Sequence, residues 1–166
     1  MKMENKLVEQ VNKETIAGLN HCFNNLLGYI PSDASYLIKE CESRAIKLKI
    51  KKMSDNIWKI HRNIKDNFKY ITKEIYETPE EQIKAILGKV YSGINKKVEN
   101  VLNLSTEIKK HIKSGTEEEE VINKIINSIT EMSDLLEGMK GDVPYKTEVY
   151  SPTINMLILP KPNKNQ

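Results

Sequence analysis

Apolar residues recur at every third or fourth position through most of this chain, and the breaks between the recurrent stretches fall on proline, glycine and capping residues. The pattern predicts an all-α fold, a four-helix bundle of long amphipathic helices with an irregular C-terminal segment. The first stretch covers residues 4–30, where Leu19, Phe23, Leu26 and Ile30 form a stripe that Val8 and Ile16 extend backwards. Pro31 lacks an N–H and disfavours α geometry at Ile30, so the helix is expected to end there, with Ser32 and Asp33 capping the next.

A second helix is predicted over 33–76 from Leu37, Cys41, Ala45, Leu48, Met53, Ile57, Ile60, Ile64, Phe68, Ile71 and Ile75. At about 1.5 Å per residue it would reach roughly 66 Å, which implies a kink or protruding ends. Thr78-Pro79-Glu80-Glu81 restarts the chain as a third helix over 79–113, carried by Ile83, Leu87, Val90, Ile94, Val98, Val101, Ile108 and Ile112. After Ser114-Gly115, Thr116 and the acids Glu117 to Glu120 open a fourth helix over 117–140. Its seam of Ile122, Ile125, Ile129, Met132, Leu136 and Met139 has the spacing of a left-handed bundle.

Residues 1–140 are thus expected to form the helical bundle, and 141–166 a segment in which Pro144, Pro152, Pro160 and Pro162 exclude helix. Thr153 to Leu159 is the one stretch there suited to a short strand, and Lys161 to Gln166 is read as a tail. Continuous seams on long helices leave apolar area beyond one chain's needs, which predicts a two-fold homodimer. Either all four helices pack within one chain, or the first and fourth form a dimerising hairpin from which the others project.

A chain of 166 residues buries enough surface to fold without staples. Cys22 and Cys41 are too few for a disulfide framework, and the polar start from Met1 to Gln10 shows no export pattern, so a cytoplasmic location is expected. No apolar run approaches the length of a membrane span. The net charge of +3 rests on lysines, with Arg44 and Arg62 the only arginines, which argues against a nucleic-acid-reading surface. His21, His61 and His111 stand outside Glu-x-x-His pairs and there is no Cys-x-x-Cys, so no metal is expected. Phosphate-cradling glycine loops and hydrolase elbows are likewise missing, and no cofactor is implied.

Two stretches carry candidate chemistry. Arg44-Ala-Ile-Lys47-Leu-Lys49-Ile-Lys51-Lys52 gathers cations without an acid; Arg44, Lys47, Lys51 and Lys52 form a possible basic patch. Its plainest reading is a solvated helix face, and the alternatives are nucleic acid, an anionic membrane surface or an acidic partner. The other is Ala17-Gly-Leu-Asn-His21-Cys22-Phe-Asn24-Asn25-Leu-Leu-Gly28-Tyr-Ile30. At about 100° per residue, Ala17, His21, Asn24, Asn25 and Gly28 share a face beside the apolar stripe, which would leave His21 accessible among small neighbours.

This second stretch resembles the phosphoacceptor box of sensor histidine kinases, in the subgroup whose box reads small-Gly-apolar-x-His-acid-Phe-Asn-Asn-Leu-Leu. The resemblance implies that His21 carries the phosphoryl group and that Asn25, one turn on, orients water against a partner's aspartyl phosphate. Asn24, Cys22 and Gly28 would then meet that partner, a response-regulator receiver domain. The family has an acid directly after the histidine, serving the kinase direction, and here that position is Cys22. Nothing after residue 141 resembles the family's ATP-binding domain either. The expected function is therefore histidine phosphotransfer or a phosphatase-type signalling module without its own kinase activity. The alternative is a non-catalytic helical interaction or scaffold protein.

Overall fold

A computed structural model describes residues 1–71 and 76–160. The chain is mostly helical and closes on a small two-stranded sheet. The described helices are α1 (Asn5–Leu27), α2 (Ile30–Glu40), α3 (Arg44–Ile71), α4 (Pro79–Lys109) and α5 (Glu117–Met139). The strands are β1 (Thr147–Ser151) and β2 (Ile154–Leu157).

The later helices start as their sequence dictates. Thr78 and Thr116 have extended backbones, and their hydroxyls accept the N–H of Glu81 at 3.2 Å and of Glu119 at 3.3 Å. The same two glutamates reach back to the N–H of Glu77 at 3.1 Å and of Gly115 at 2.6 Å, a reciprocal cap at each helix start. Gly115 has φ +78, the left-handed geometry that turns the chain from α4 into α5.

The region read as one helix over 33–76 is two helices. Cys41 is extended (φ −84, ψ 129), and the Ser43 hydroxyl takes the N–H of Ile46 at 3.4 Å to restart the chain. The break resets the helical phase: the inward positions of α3 are Ile46, Ile50, Met53, Ile57, Ile60 and Ile64, while Ala45 and Leu48, expected in the seam, face outward. Phe68, Ile71 and Ile75, assigned to the same seam, lie outside the described side chains. Pro31 also acts differently from the expectation. It occupies the first turn of α2, where its missing N–H removes no helical bond, and Tyr29 rather than Ser32 precedes that helix. α1 and α2 are thereby separated only by Gly28 and Tyr29.

α4 lies at the centre, packed against α3, α5 and α1, while α2 bridges α3 and α5. Tyr29 pins the α1–α2 corner to α5 by donating to the Lys124 carbonyl at 3.1 Å, and Lys124 ion-pairs with Asp33 at 3.6 Å. Burial, ahead of the nearby acids, pushes the Tyr29 hydroxyl above its ordinary pKa. Between α1 and α4, the buried Gln82 amide donates to Asn12 Oδ1 at 2.8 Å.

The C-terminal segment, expected to be irregular with at most one strand, is a hairpin. β1 and β2 pair antiparallel with Thr147 opposite Leu157 and Val149 opposite Asn155, and the register slips between Val149 and Ser151. β2 lies against α1, burying Met156 and Leu157, and Leu159 follows them inward.

Candidate functional site

His21 lies in the last third of α1, half-buried. Its Nε2 is 3.2 Å from Asn25 Nδ2, one turn on and exposed, so the amide donates to the ring in the tautomer protonated at Nδ1. Asn24 and Gly28 are exposed beside them. Cys22, the next residue along the helix, is half-buried and packs against the core.

The face is not uniformly open, contrary to the expectation for Ala17 and His21. Gly18, the second residue of the box, is fully covered by β2: a Cβ there would collide with the carbonyl oxygen of Leu157 and lie 3.2 Å from its carbon. The hairpin therefore crosses α1 one turn upstream of His21. The Tyr150 ring of β1 and the imidazole pack in a T-shaped pair, with centroids 5.5 Å apart and planes at 70°. Further upstream, Tyr145 donates to Glu14 Oε2 at 2.5 Å, and Gln10 donates to the other oxygen of this buried carboxyl at 3.1 Å.

On the opposite side of the box a groove of about 400 Å³ runs between α1 and α3, lined by Asn20, Phe23, Asn24, Gly28, Pro31, Trp58, His61 and Ile64. Asn24 also borders the cleft between α1 and the hairpin, with Asn20, Tyr150 and Asn155. The box thus has a walled side, where Tyr150 meets His21, and an open side, where Asn24 and Gly28 look towards Trp58 and His61.

Sequence reasoning found His21, Asn25, Asn24 and Gly28 on one face but missed Tyr150, Trp58 and His61 as their neighbours. These come from segments far along the chain, and none carries a local signal for its position. Of the possible basic patch, Arg44, Lys51 and Lys52 are exposed on α3 and Lys47 is half-buried. Lys49 pairs with Glu107 at 3.1 Å, and its hydrogen bond, then its charge, hold that carboxyl below the usual range. Among the described residues no cluster of His, Cys, Asp and Glu side chains could hold a metal ion. No described helix is long and apolar enough to cross a membrane.

The chain matches no protein-family model, no curated protein and no solved structure.

Proposed function

We propose that this chain is a cytoplasmic histidine phosphotransfer or phosphatase-type signalling module of helical-bundle architecture, acting on the receiver domain of a response regulator. The observation that carries the reading is the contact between His21 Nε2 and Asn25 Nδ2 on the outer face of α1, with Asn24 and Gly28 exposed beside it. When the hydrogen bond from the Asn25 amide is released, Nε2 presents a lone pair to an incoming aspartyl phosphate. A nitrogen–phosphorus bond forms as the acyl oxygen–phosphorus bond breaks, and the partner's carboxylate leaves. Alternatively the Asn25 amide holds a water against the phosphorus, and hydrolysis gives inorganic phosphate, with the water's proton passing to the imidazole.

The outward position of Asn24 and Gly28 beside an open groove supports entry of a partner from the α3 side. With Cys22 packed on the core, the chain has no acid at that position to assist attack on ATP, and no labelling by ATP alone is expected. With a phosphorylated cognate receiver, His21→Ala should abolish transfer to this chain, and Asn25→Ala should slow dephosphorylation about 10-fold, the scale of losing one positioning donor. Unchanged receiver phosphate lifetimes in both variants, with no acid-labile phosphate on His21, would refute the reading.

A second reading, a non-catalytic interaction or scaffold protein, is favoured by one feature: the Gly18 position of the box is explained by the passage of β2 over α1, without reference to phosphate. The proposal includes a two-fold homodimer, for which Val149, Tyr150 and Ile154 on the hairpin supply exposed apolar surface. Sedimentation velocity at micromolar concentration tests it, and a clean monomer would remove it.

A further inference from the structure

Apart from Trp58, which also borders the groove between α1 and α3, the outward face of α3 has no part in the phosphotransfer reading. Counted at about 100° per residue, Arg44, Leu48, Lys51, Lys52, Asp55, Trp58, Lys59, Arg62 and Asp66 fall within one third of the helix circumference. All nine are exposed. The five cations outnumber the two carboxylates, and none of the five makes an ion pair among the described residues, whereas Lys49, turned towards α4, is paired with Glu107. Leu48 and Trp58, at 59% and 53% exposure, are the two large apolar side chains left open on the described helices.

We propose that this face of α3 binds the surface of an anionic lipid bilayer. Unpaired cations with an exposed leucine and tryptophan on one helix face match a layer with negative charge outside and hydrocarbon just beneath. Lysine stems lie along apolar surface while their ammonium groups stay with the headgroups, and a tryptophan ring prefers that boundary. From Arg44 to Arg62 the face extends for about 27 Å along one helix, a length that can lie along a plane. Nucleic acid would use the charge, but a duplex offers an exposed leucine nothing apolar to enter, and most of the cations are lysines, which lack the arginine fork. Contact is peripheral, because the other side of α3 is buried against α4. The inference is independent of any role for His21.

Trp58 is the only tryptophan of this sequence, so the chain reports its own contact. Vesicles of phosphatidylcholine with about one-third phosphatidylserine should co-sediment the protein at low salt, and pure phosphatidylcholine should not. Trp58 emission should shift to the blue and be quenched by brominated lipid in the anionic vesicles. The double variant Lys51→Gln, Lys52→Gln should weaken partitioning roughly 25-fold, at about fivefold per cation. Leu48→Gln, with no charge change, should weaken it about fivefold. Both variants alter exposed positions, and unchanged circular dichroism certifies their folding. Failure to sediment with anionic vesicles, equal binding to neutral ones, or binding without a Trp58 response would overturn the proposal. Tighter binding of a single-stranded oligonucleotide that shifts Trp58 without lipid would also overturn it and assign the face to nucleic acid.

Discussion

α1 and α5 are both 23 residues long and both pack on the central helix, yet they are held by different means. α5 begins at a threonine cap, carries four acids in its first turn and buries only apolar residues. α1 has no side-chain cap and no acid in its first turn, and it buries Asn12, Glu14, Thr15 and Gly18 among its apolar residues. Most of those are answered by distant partners: Asn12 by Gln82, Glu14 by Tyr145 and Gly18 by the backbone of Leu157. α5 is specified by its own sequence, whereas α1 is specified by what the rest of the chain brings to it. The candidate site lies on the helix of the second kind, so its accessibility is decided by the hairpin as well as by its own motif.

The strongest way to break this contrast is Gly18→Ala. At an unobstructed helix-interior position the change should stabilise by about 1 kcal/mol. At Gly18 the new methyl meets a backbone carbonyl that moves only if β2 moves, so a net loss of about 3 kcal/mol is expected, the upper part of the usual overpacking range. Urea denaturation measures it. A gain in midpoint would mean that β2 does not press on α1 in solution, and His21 would then be open on both sides.

Tyr145→Phe probes the same seam more gently. It removes the donor to a buried carboxyl, at an expected cost of about 2 kcal/mol at neutral pH. Burial first, then the hydrogen bond and charge of Glu14, push the Tyr145 hydroxyl from 10.0 up to about 12. Because the folded value lies above the ordinary one, the unfolded chain loses this proton first as pH rises. The contribution is therefore complete below about pH 10 and is lost between pH 10 and about 12. Over that window the parent's stability should fall more steeply than the variant's; parallel curves would place the hydroxyl away from Glu14.

Much of the fold was legible because caps and seams are local. Thr78-Pro79 and Thr116 mark the starts of α4 and α5, and the apolar spacing of α5 names its buried face. The break after α2 was hidden because Leu37, Cys41, Ala45 and Leu48 keep helical spacing straight through it, although Ser43, three residues before Ile46, was an available capping signal. Prolines correctly excluded helix from the C-terminal segment, but alternation on one strand does not reveal its partner, and the pairing of 147–151 with 154–157 went unread. At the candidate site, the four-residue spacing of His21 and Asn25 was enough to place them together. The arrival of Tyr150 beside His21 and of Leu157 over Gly18 depends on contacts between segments far apart in sequence, which periodicity does not encode.

The smallest effects should fall at the two helix starts. In α5 the Thr116 hydroxyl takes the N–H of Glu119 at 3.3 Å, satisfying one of the donors a helix leaves unpaired at its first turn. Thr116→Ala removes that acceptor and is expected to cost about 1 kcal/mol. The corresponding residue of α1 is Glu4, exposed and without a side-chain cap bond, so Glu4→Ala should change stability by no more than a few tenths of a kcal/mol. Paired thermal melts of the two variants compare local with long-range specification directly. An equal loss in both would show that α1 has a start signal of its own, and would weaken the case that the hairpin and α4 hold it in place.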